Sequence, residues 1–278
     1  MKVATIILNR NLPDITDRLC DSLIGAEGAL TDVFVVEAGS EDTRLSRHCT
    51  WHANWPEARE IGLRAARGFN FGLLKLYESG AFSSYDAFFL LTNDTEFASY
   101  PVIGALCDEL EAHPRVGMLS PCSSRWGEKV LIKGGHIKYF WYVHNTALLL
   151  RRQFVESVME RDAPTYLNFL YDGTNFRGYN VETELIAKGY INDWATAITN
   201  KVWAEENESH LLTQSDLIRT DSYQSNLKLY VEEGQSWMRK KYGFNSRWQM
   251  QMYAKFWYEQ FFEFHPEYAA FKIGLRET

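Results

Sequence analysis

The sequence has few cysteines, no long apolar run and no run of basic residues, and each of these absences argues against a class of protein. Its four cysteines form neither a CxxC pair nor a compact framework, which indicates a reduced, intracellular chain. No stretch of about 18 apolar residues occurs, so no membrane-spanning helix is expected. The 29 basic and 36 acidic residues give a net charge of −7, which argues against nucleic acid as a partner.

The first residues also lack the features of a signal peptide. VATIIL begins at the third residue, without a preceding basic region, a long apolar core or a small-residue cleavage site. This segment is therefore expected to form a buried first strand, and the chain is expected to be cytoplasmic.

Short apolar runs alternate with amphipathic segments along the first two thirds of the chain. This order predicts an α/β fold with a mostly parallel central sheet and helices on both faces. The predicted strands are Val3–Leu8, Val33–Val36, Ala87–Leu91 and Val116–Leu119. The predicted helices are Asp14–Ile24, Ile61–Tyr77, Val102–Ala112 and Val181–Lys188. The segment Tyr166–Gly178 is predicted to be a loop.

Polar residues follow three of the predicted strands, where a parallel sheet binds its ligands. They form the segments Asn9–Asn11, Glu37–Ser40 and Thr92–Glu96. Within the last segment, Asp94 is the best candidate for a metal ligand. A turn or helix N-cap aspartate is the alternative.

Seven sequence motifs support a more specific interpretation. They are VATIILNRN, DVFVVEAGSEDT, ARGFNFGL, FFLLTNDTEF, VGMLSP, VHNTALLLRRQFVESV and VETELIAKGY. Their order and approximate spacing, over about residues 3 to 190, resemble those of the family 2 glycosyltransferases, especially the rhamnosyltransferase-like branch. The resemblance implies a GT-A fold and transfer of a sugar from a nucleotide sugar to an acceptor hydroxyl, with inversion.

The same resemblance implies which residues bind the donor. Asn9 and Glu37 would lie against the nucleoside, and Asn70, with Arg64 or Arg67 as weaker candidates, would lie near the base or the phosphates. Ala38 stands where the family usually has Asp or Asn, so the contact that this position makes to the base or ribose in the family is not expected from its side chain. The donor would be a UDP-, dTDP- or GDP-sugar.

The resemblance also implies a metal site. Asn93 and Asp94 match a variant of the Asp-x-Asp motif in which only the last acid is retained, and His210 is a further candidate ligand. Mn²⁺ or Mg²⁺ would be the cofactor, because a hard cation takes few carboxylates and leaves positions for phosphate oxygens.

Glu182 matches the position of the catalytic base, and Glu184 follows two residues later. A carboxylate facing the acceptor can accept its proton. The sequence does not decide between these two acids. Both could instead be ordinary acids that stabilise a helix N-terminus.

Two other groups of residues have alternative interpretations. His144 lies in an aromatic stretch, which favours a position in the core or a pocket wall over catalysis. Arg151 and Arg152 could face phosphates or could be solvated charges at the end of a strand.

The last third of the chain is rich in aromatic residues and is predicted to be helical from Ser225 onward. We expect a catalytic domain over residues 1–215 and a helical extension over residues 216–278. The aromatic segment Arg247–Ile273 would pack on the catalytic domain or across a homo-oligomer, or else contact the inner face of a membrane through its aromatic and basic residues.

Two other functions are alternatives to the leading one. A non-catalytic nucleotide- or sugar-binding module of the same fold stays open because Ala38 and Glu182 match the family pattern weakly, whereas Asp94 together with an acid at position 182 argues against it. A nucleotidyltransferase is disfavoured, because the segment Asn9–Pro13 contains no glycine. The acceptor of the leading function would be a saccharide or a lipid-linked saccharide, in polysaccharide biosynthesis.

Overall fold

The computed structural model describes residues 1–125, 127–143, 147–207, 209 and 222–273. Within these ranges nine strands form one sheet. They are β1 (Val3–Asn9), β2 (Thr31–Glu37), β3 (Cys49–His52), β4 (Ala87–Thr92), β5 (Thr95–Phe97), β6 (Val116–Cys122), β7 (Ile137–Tyr139), β8 (Ala147–Arg151) and β9 (Ala195–Glu206).

The helices lie between and after these strands. They are α1 (Pro13–Glu27), α2 (Pro56–Ile61), α3 (Arg64–Glu78), α4 (Ile103–Ala112), α5 (Glu128–Leu131), α6 (Arg152–Val158), α7 (Val181–Ile191), α8 (Tyr223–Tyr242) and α9 (Arg247–Phe264). The segment 166–178 contains no helix or strand, as predicted.

The sheet order is β3-β2-β1-β4-β8-β6-β9-β5, and β7 pairs with β9 beside this path. β1 pairs in parallel with β2 and β4, β2 with β3, and β6 with β9. β8 runs antiparallel to both β4 and β6, so β4 and β6 share one direction. β5 and β7 are antiparallel to β9. Six strands therefore run the same way, and the predicted α/β fold with a mostly parallel sheet is confirmed.

β1 shows why the apolar runs form buried strands. All seven of its residues are buried, because helices cover the sheet on both sides. Gly72 lets α3 approach the sheet closely, since a Cβ atom there would lie 2.8 Å from Cγ2 of Ile6. On α1, Leu19 and Leu23 are buried at a spacing of one turn.

β9 connects the two parts of the sheet. Its first residues pair with β6, and its last three residues, Ala204–Glu206, pair with β5 directly after Asp94. α7 precedes β9 and therefore begins near the edge of the sheet where β1, β4 and β6 end. The first turn of α7 carries Glu182 and Glu184.

α8 lies along the segment between residues 171 and 184. Its contacting residues recur every three or four positions, twice as adjacent pairs, which places them on one face of the helix. They are Asn226, Tyr230, Glu233, Gly234, Trp237, Met238 and Lys241. α9 packs along α7, and its Tyr258 and Phe261 belong to the same hydrophobic core as the sheet. The predicted boundary between residues 215 and 216 lies outside the described residues and stays a prediction.

Among the described residues, no helix has both the length and the apolarity that crossing a bilayer requires.

Candidate functional site

The carboxyl ends of β1 and β2 carry two of the predicted donor residues, and the structure brings them together. The side-chain amide of Asn9 donates to both carboxylate oxygens of Glu37, at 3.1 and 2.9 Å. Ser40 Oγ donates to the same carboxylate at 2.5 Å, and the backbone N–H of Ser46 does so at 2.7 Å. Glu37 is fully buried, so its carboxylate organises this loop from within. Direct contact of Asn9 or Glu37 with a nucleoside stays a prediction.

The turn after β2 depends on a glycine. Gly39 has φ +89°, and a Cβ atom there would lie 1.8 Å from the carbonyl oxygen of Ala58. Only glycine fits this combination of backbone conformation and close approach. The turn thereby places Ala38 in the wall of the pocket described below.

Asn93 and Asp94 form the turn between β4 and β5. The Asn93 amide donates to Asn9 Oδ1 at 3.1 Å and to Thr16 Oγ1 at 3.0 Å, which fixes the turn to β1 and α1. The backbone N–H of Asn207 donates to the Asp94 carbonyl oxygen at 2.8 Å. Both sides of the turn are thus held, and Asp94 stands at the edge of the sheet.

Asp94 and Asn93 line two adjacent pockets. The first has a volume of about 170 Å³ and is also lined by Arg10, Ala38 and Arg64. The second has a volume of about 350 Å³ and extends along α1. Its wall includes Arg18 and Tyr100. A ligand that spans both pockets would pass over Asp94.

Arg10 and Arg64 make the first pocket suitable for an anion. Arg10 follows β1 directly, and its guanidinium donates to the carbonyl oxygens of Arg59 and Glu60, each at 3.2 Å. Arg64 begins α3 with φ +55°, a conformation that non-glycine residues rarely adopt. The N-terminus of α3 adds its partial positive charge. Sequence reasoning left Arg10 out of the candidate residues, although it lies in the polar segment after β1.

Asn70 holds the loop that leads to α7. Its amide donates to the carbonyl oxygens of Tyr166 and Tyr171, at 3.1 and 2.8 Å. Its Oδ1 accepts from the backbone N–H groups of Leu170 and Tyr171, both at 2.9 Å. These four bonds use the whole buried amide, so its predicted contact with a base or phosphate stays a prediction. Nearby, Arg67 donates to the Gly173 carbonyl at 2.8 Å.

Replacing Asn70 with alanine should destabilise the protein by about 2–4 kcal/mol, because two buried N–H groups and two carbonyls would lose their partner. Urea denaturation measures this change. Lys75→Ala, on the solvated side of the same helix, is the matched control and should cost under about 0.5 kcal/mol. Equal midpoints for the two variants would show that the loop does not depend on Asn70.

Glu182 is a buried carboxyl group among aromatic residues. Burial raises its pKa to about 7, against a smaller opposing effect of its own backbone N–H. The hydroxyls of Tyr142, Tyr171 and Tyr230 have raised pKa values, first through burial and then through the Glu182 charge. A carboxyl group with a pKa near 7 is suited to accept a proton at neutral pH.

Glu184 has a different environment. Lys241 Nζ lies 2.7 Å from Glu184 Oε1 and 2.5 Å from Asp172 Oδ2, and the Tyr242 hydroxyl donates to Glu184. Burial alone would raise the pKa of Asp172, but hydrogen bonds from Lys241, Thr174 and Trp237 outweigh it and lower that pKa. Glu184 therefore joins α7 to α8 through an ion pair, and among the described residues no such pair is formed by Glu182.

Lys241→Met should reduce the free energy of unfolding by about 1–3 kcal/mol at neutral pH, because two carboxylates would lose their shared cation. The contribution of Asp172 is present above its unfolded pKa of about 4 and is lost as acid protonates it through its lowered folded pKa. The deficit of the variant should therefore shrink in acid. Denaturation across this pH range tests the effect, with the exposed neighbour Lys240→Met as control. A deficit that is constant with pH would contradict the ion-pair account.

The loop that leads to α7 reaches the first pocket. Arg64 lines that pocket, and its guanidinium lies 5.7 Å from the centre of the Phe176 ring. Phe176 lies shortly before α7, whose first turn carries Glu182. The first pocket and the N-terminal side of α7 therefore lie at the same edge of the sheet.

The metal candidates are only partly within the described ranges. His210 and His144 lie outside the described residues. Among those the structure describes, no group of three His, Cys, Asp or Glu residues is close enough to hold a metal ion. Arg151 lies at the opposite edge of the sheet and donates to the Val116 carbonyl at 3.1 Å. Arg152 pairs with Glu156 at 2.9 Å.

Comparison with known proteins gives likenesses of structure only. No protein-family model matches the sequence, and no curated protein matches it. A mannosyltransferase from Pyrobaculum calidifontis, solved with GDP-Man and Mn²⁺, aligns with a TM-score of 0.47 at 13% identity over 84% of this chain and 68% of its own. Glucosyl-3-phosphoglycerate synthase from Mycobacterium tuberculosis, solved with Mn²⁺, UDP-glucose and phosphoglyceric acid, aligns with a TM-score of 0.47 at 15% identity. The alignment covers 78% of this chain and 76% of the synthase. At such values the function has to be argued from the side chains of the site.

Proposed function

We propose that this protein is a metal-assisted glycosyltransferase of the GT-A type, which moves a sugar from a nucleoside diphosphate to an acceptor hydroxyl. The observation that carries the proposal is the pairing, at one edge of the sheet, of an Asp94 pocket with a buried carboxyl group of pKa about 7. The Asp94 pocket suits an anionic leaving group with its cation, and the Glu182 carboxyl group suits a base.

The donor diphosphate would lie in the first pocket. Arg10, Arg64 and the N-terminus of α3 provide positive charge there, and Asn93 and Asp94 form the opposite wall. The two adjoining pockets together measure about 520 Å³, from about 170 and about 350 Å³, within the usual range for a ligand of this size.

A divalent cation fits the donor set at Asp94. Mg²⁺ and Mn²⁺ are commonly held by one or two carboxylates together with phosphate oxygens and water, and Asp94 provides one such carboxylate beside the anion pocket. When bound, the cation neutralises charge that develops on the leaving diphosphate. His210 remains a proposed additional ligand.

Glu182 would act as the base. The acceptor oxygen attacks the anomeric carbon of the donor sugar, the bond from that carbon to the diphosphate oxygen breaks, and the acceptor proton passes to the Glu182 carboxylate. Attack from the side opposite the leaving group would invert the anomeric centre. Burial of the Glu182 side chain, which is 8% exposed, disfavours its charged form and so keeps its pKa high.

The finer assignments are part of the same proposal. The rhamnosyltransferase-like branch, a hexosyl donor and polysaccharide biosynthesis follow from the motif resemblance in the sequence. A cytoplasmic location agrees with four free cysteines, since disulfides are rare in reducing compartments.

The proposal is tested by calorimetric binding of UDP, dTDP and GDP, each with and without Mn²⁺, followed by donor turnover for the nucleotide that binds. One nucleotide should bind strongly, with metal dependence, and its sugar derivatives should be turned over. Binding without turnover by any donor and acceptor would favour the non-catalytic module. No binding at all would contradict both functions.

A further inference from the structure

The C-terminal helix α9 has two apolar faces, and only one of them packs on the part of the chain that the structure describes. Met250, Ala254 and Tyr258 are fully buried. On the other side Trp248 and Met252 are 62% and 60% exposed. Phe256, one turn further, is 55% exposed.

These three exposed side chains are four residues apart and so form one stripe along α9. Monomeric soluble proteins rarely leave a contiguous row of large apolar side chains in water, so this stripe indicates a binding surface.

The sequence that leads into this stripe is basic. Residues 234–258 contain five basic residues and no acidic residue, within a chain whose net charge is −7, and the first acids after them are Glu259 and Glu263. Lys241 is occupied by Asp172 and Glu184. Arg239, Lys240 and Arg247 are exposed, and the Arg247 guanidinium lies 4.7 Å from the centre of the Trp248 ring.

The sign and arrangement of these charges distinguish between possible partners. In a symmetric dimer the same surface meets itself, which would bring like charges together around the stripe. An anionic lipid surface offers the complementary charge and an apolar interior for the aromatic side chains.

The helix that carries the stripe also packs against the helix of the candidate base. α9 lies along α7, and the ring of its Tyr253 lies 5.9 Å from that of Tyr242, whose hydroxyl donates to Glu184. A surface that contacts α9 would therefore lie beside the helix whose first turn carries Glu182.

We propose that Trp248, Met252 and Phe256, with Arg239, Lys240 and Arg247 around them, form a binding surface for an anionic lipid bilayer. The helix lies in the interface, with its aromatic side chains among the acyl chains and its basic residues at the headgroups. The contact does not depend on the proposed function. Its position beside the helix that carries Glu182 suits an acceptor attached to a lipid, and that part rests on the proposed function.

Co-sedimentation of the full chain with vesicles tests the proposal. The protein should sediment with vesicles of equal parts phosphatidylcholine and phosphatidylglycerol, not with phosphatidylcholine alone, and high salt should release it. W248Q/M252Q/F256Q and R239Q/K240Q/R247Q should each weaken the partition at least about tenfold. The control I24Q/I191Q, at two partly exposed apolar positions elsewhere, should bind like the wild type.

Calorimetric nucleotide binding and sedimentation velocity complete the test. Nucleotide binding by both triple variants would show that they fold, and it separates failure of this proposal from failure of the proposed function. Absence of wild-type binding to anionic vesicles would overturn the proposal, as would equal vesicle binding by the triple variants. A wild-type dimer that W248Q/M252Q/F256Q converts to monomers, without vesicle binding, would assign the stripe to a second copy of the chain instead.

Discussion

Glu182→Gln should lower kcat by about 10²–10⁴-fold while leaving nucleotide binding nearly unchanged, because it removes the base but keeps the shape of the side chain. In the wild type, activity should rise with pH through about 7, where Glu182 loses its proton. The measurement is the pH profile of donor turnover for both proteins. The matched variant Glu182→Asp should retain part of the activity and the rising profile.

Glu182→Gln should also stabilise the fold at alkaline pH. The pKa of Glu182 is about 7 in the folded protein against 4.5 as its ordinary value, so the ionised form is disfavoured by folding. In the wild type, the contribution of protonated Glu182 to the free energy of unfolding is therefore fully present below about pH 4.5 and is lost as the pH rises through about 7. Glutamine stays neutral, so Glu182→Gln should gain on the order of 3 kcal/mol over the wild type at about pH 9, and nothing at about pH 4.

Denaturation at these two pH values checks the second effect independently of any substrate. A variant that loses activity but gains alkaline stability would identify Glu182 as an acid kept buried for function. If activity survives and stability follows the same pH curve as the wild type, Glu182 is neither the base nor an ionised buried group.

Asp94→Asn should weaken metal-dependent nucleotide binding by about 100-fold or more, because Asp94 is the one acid among the described residues that line the first pocket. Binding of the nucleotide without metal should change little. Calorimetry with and without Mn²⁺ separates these two contributions.

Glu96→Gln is the control for Asp94→Asn. Glu96 is exposed two residues away, lines the second pocket but not the first, and accepts from the Asn207 amide at 2.5 Å, so it carries the same charge in the same hairpin outside the proposed diphosphate pocket. Its loss should change binding less than about threefold if the effect of Asp94 is specific coordination and not general electrostatics. Equal effects of the two substitutions would refute a metal site at Asp94.

The candidate site was predictable from the sequence to the extent that it depends on strand ends. Asn9, Glu37 and Asp94 each follow an apolar run, and the carboxyl ends of parallel strands share one edge. The prediction could not state what these side chains would bind. Asn9 and Glu37 bond to each other across 28 residues of sequence, and Asn70 bonds to a loop about 100 residues away.

Sequence by itself determined the alternation of strands and helices, because hydrophobic periodicity is a local property that each segment carries with it. It also determined that the candidate residues lie at one edge of the sheet. The different environments of Glu182 and Glu184, on which our proposal of Glu182 as the base rests, appear only in the tertiary structure. These two acids lie two residues apart on one helix but face different neighbours. Lys241 and Tyr242 contact Glu184, and Tyr242 lies 58 residues away from it in the sequence. The pKa of a carboxyl group depends on the solvent and charges around it in space, and folding alone brings those together.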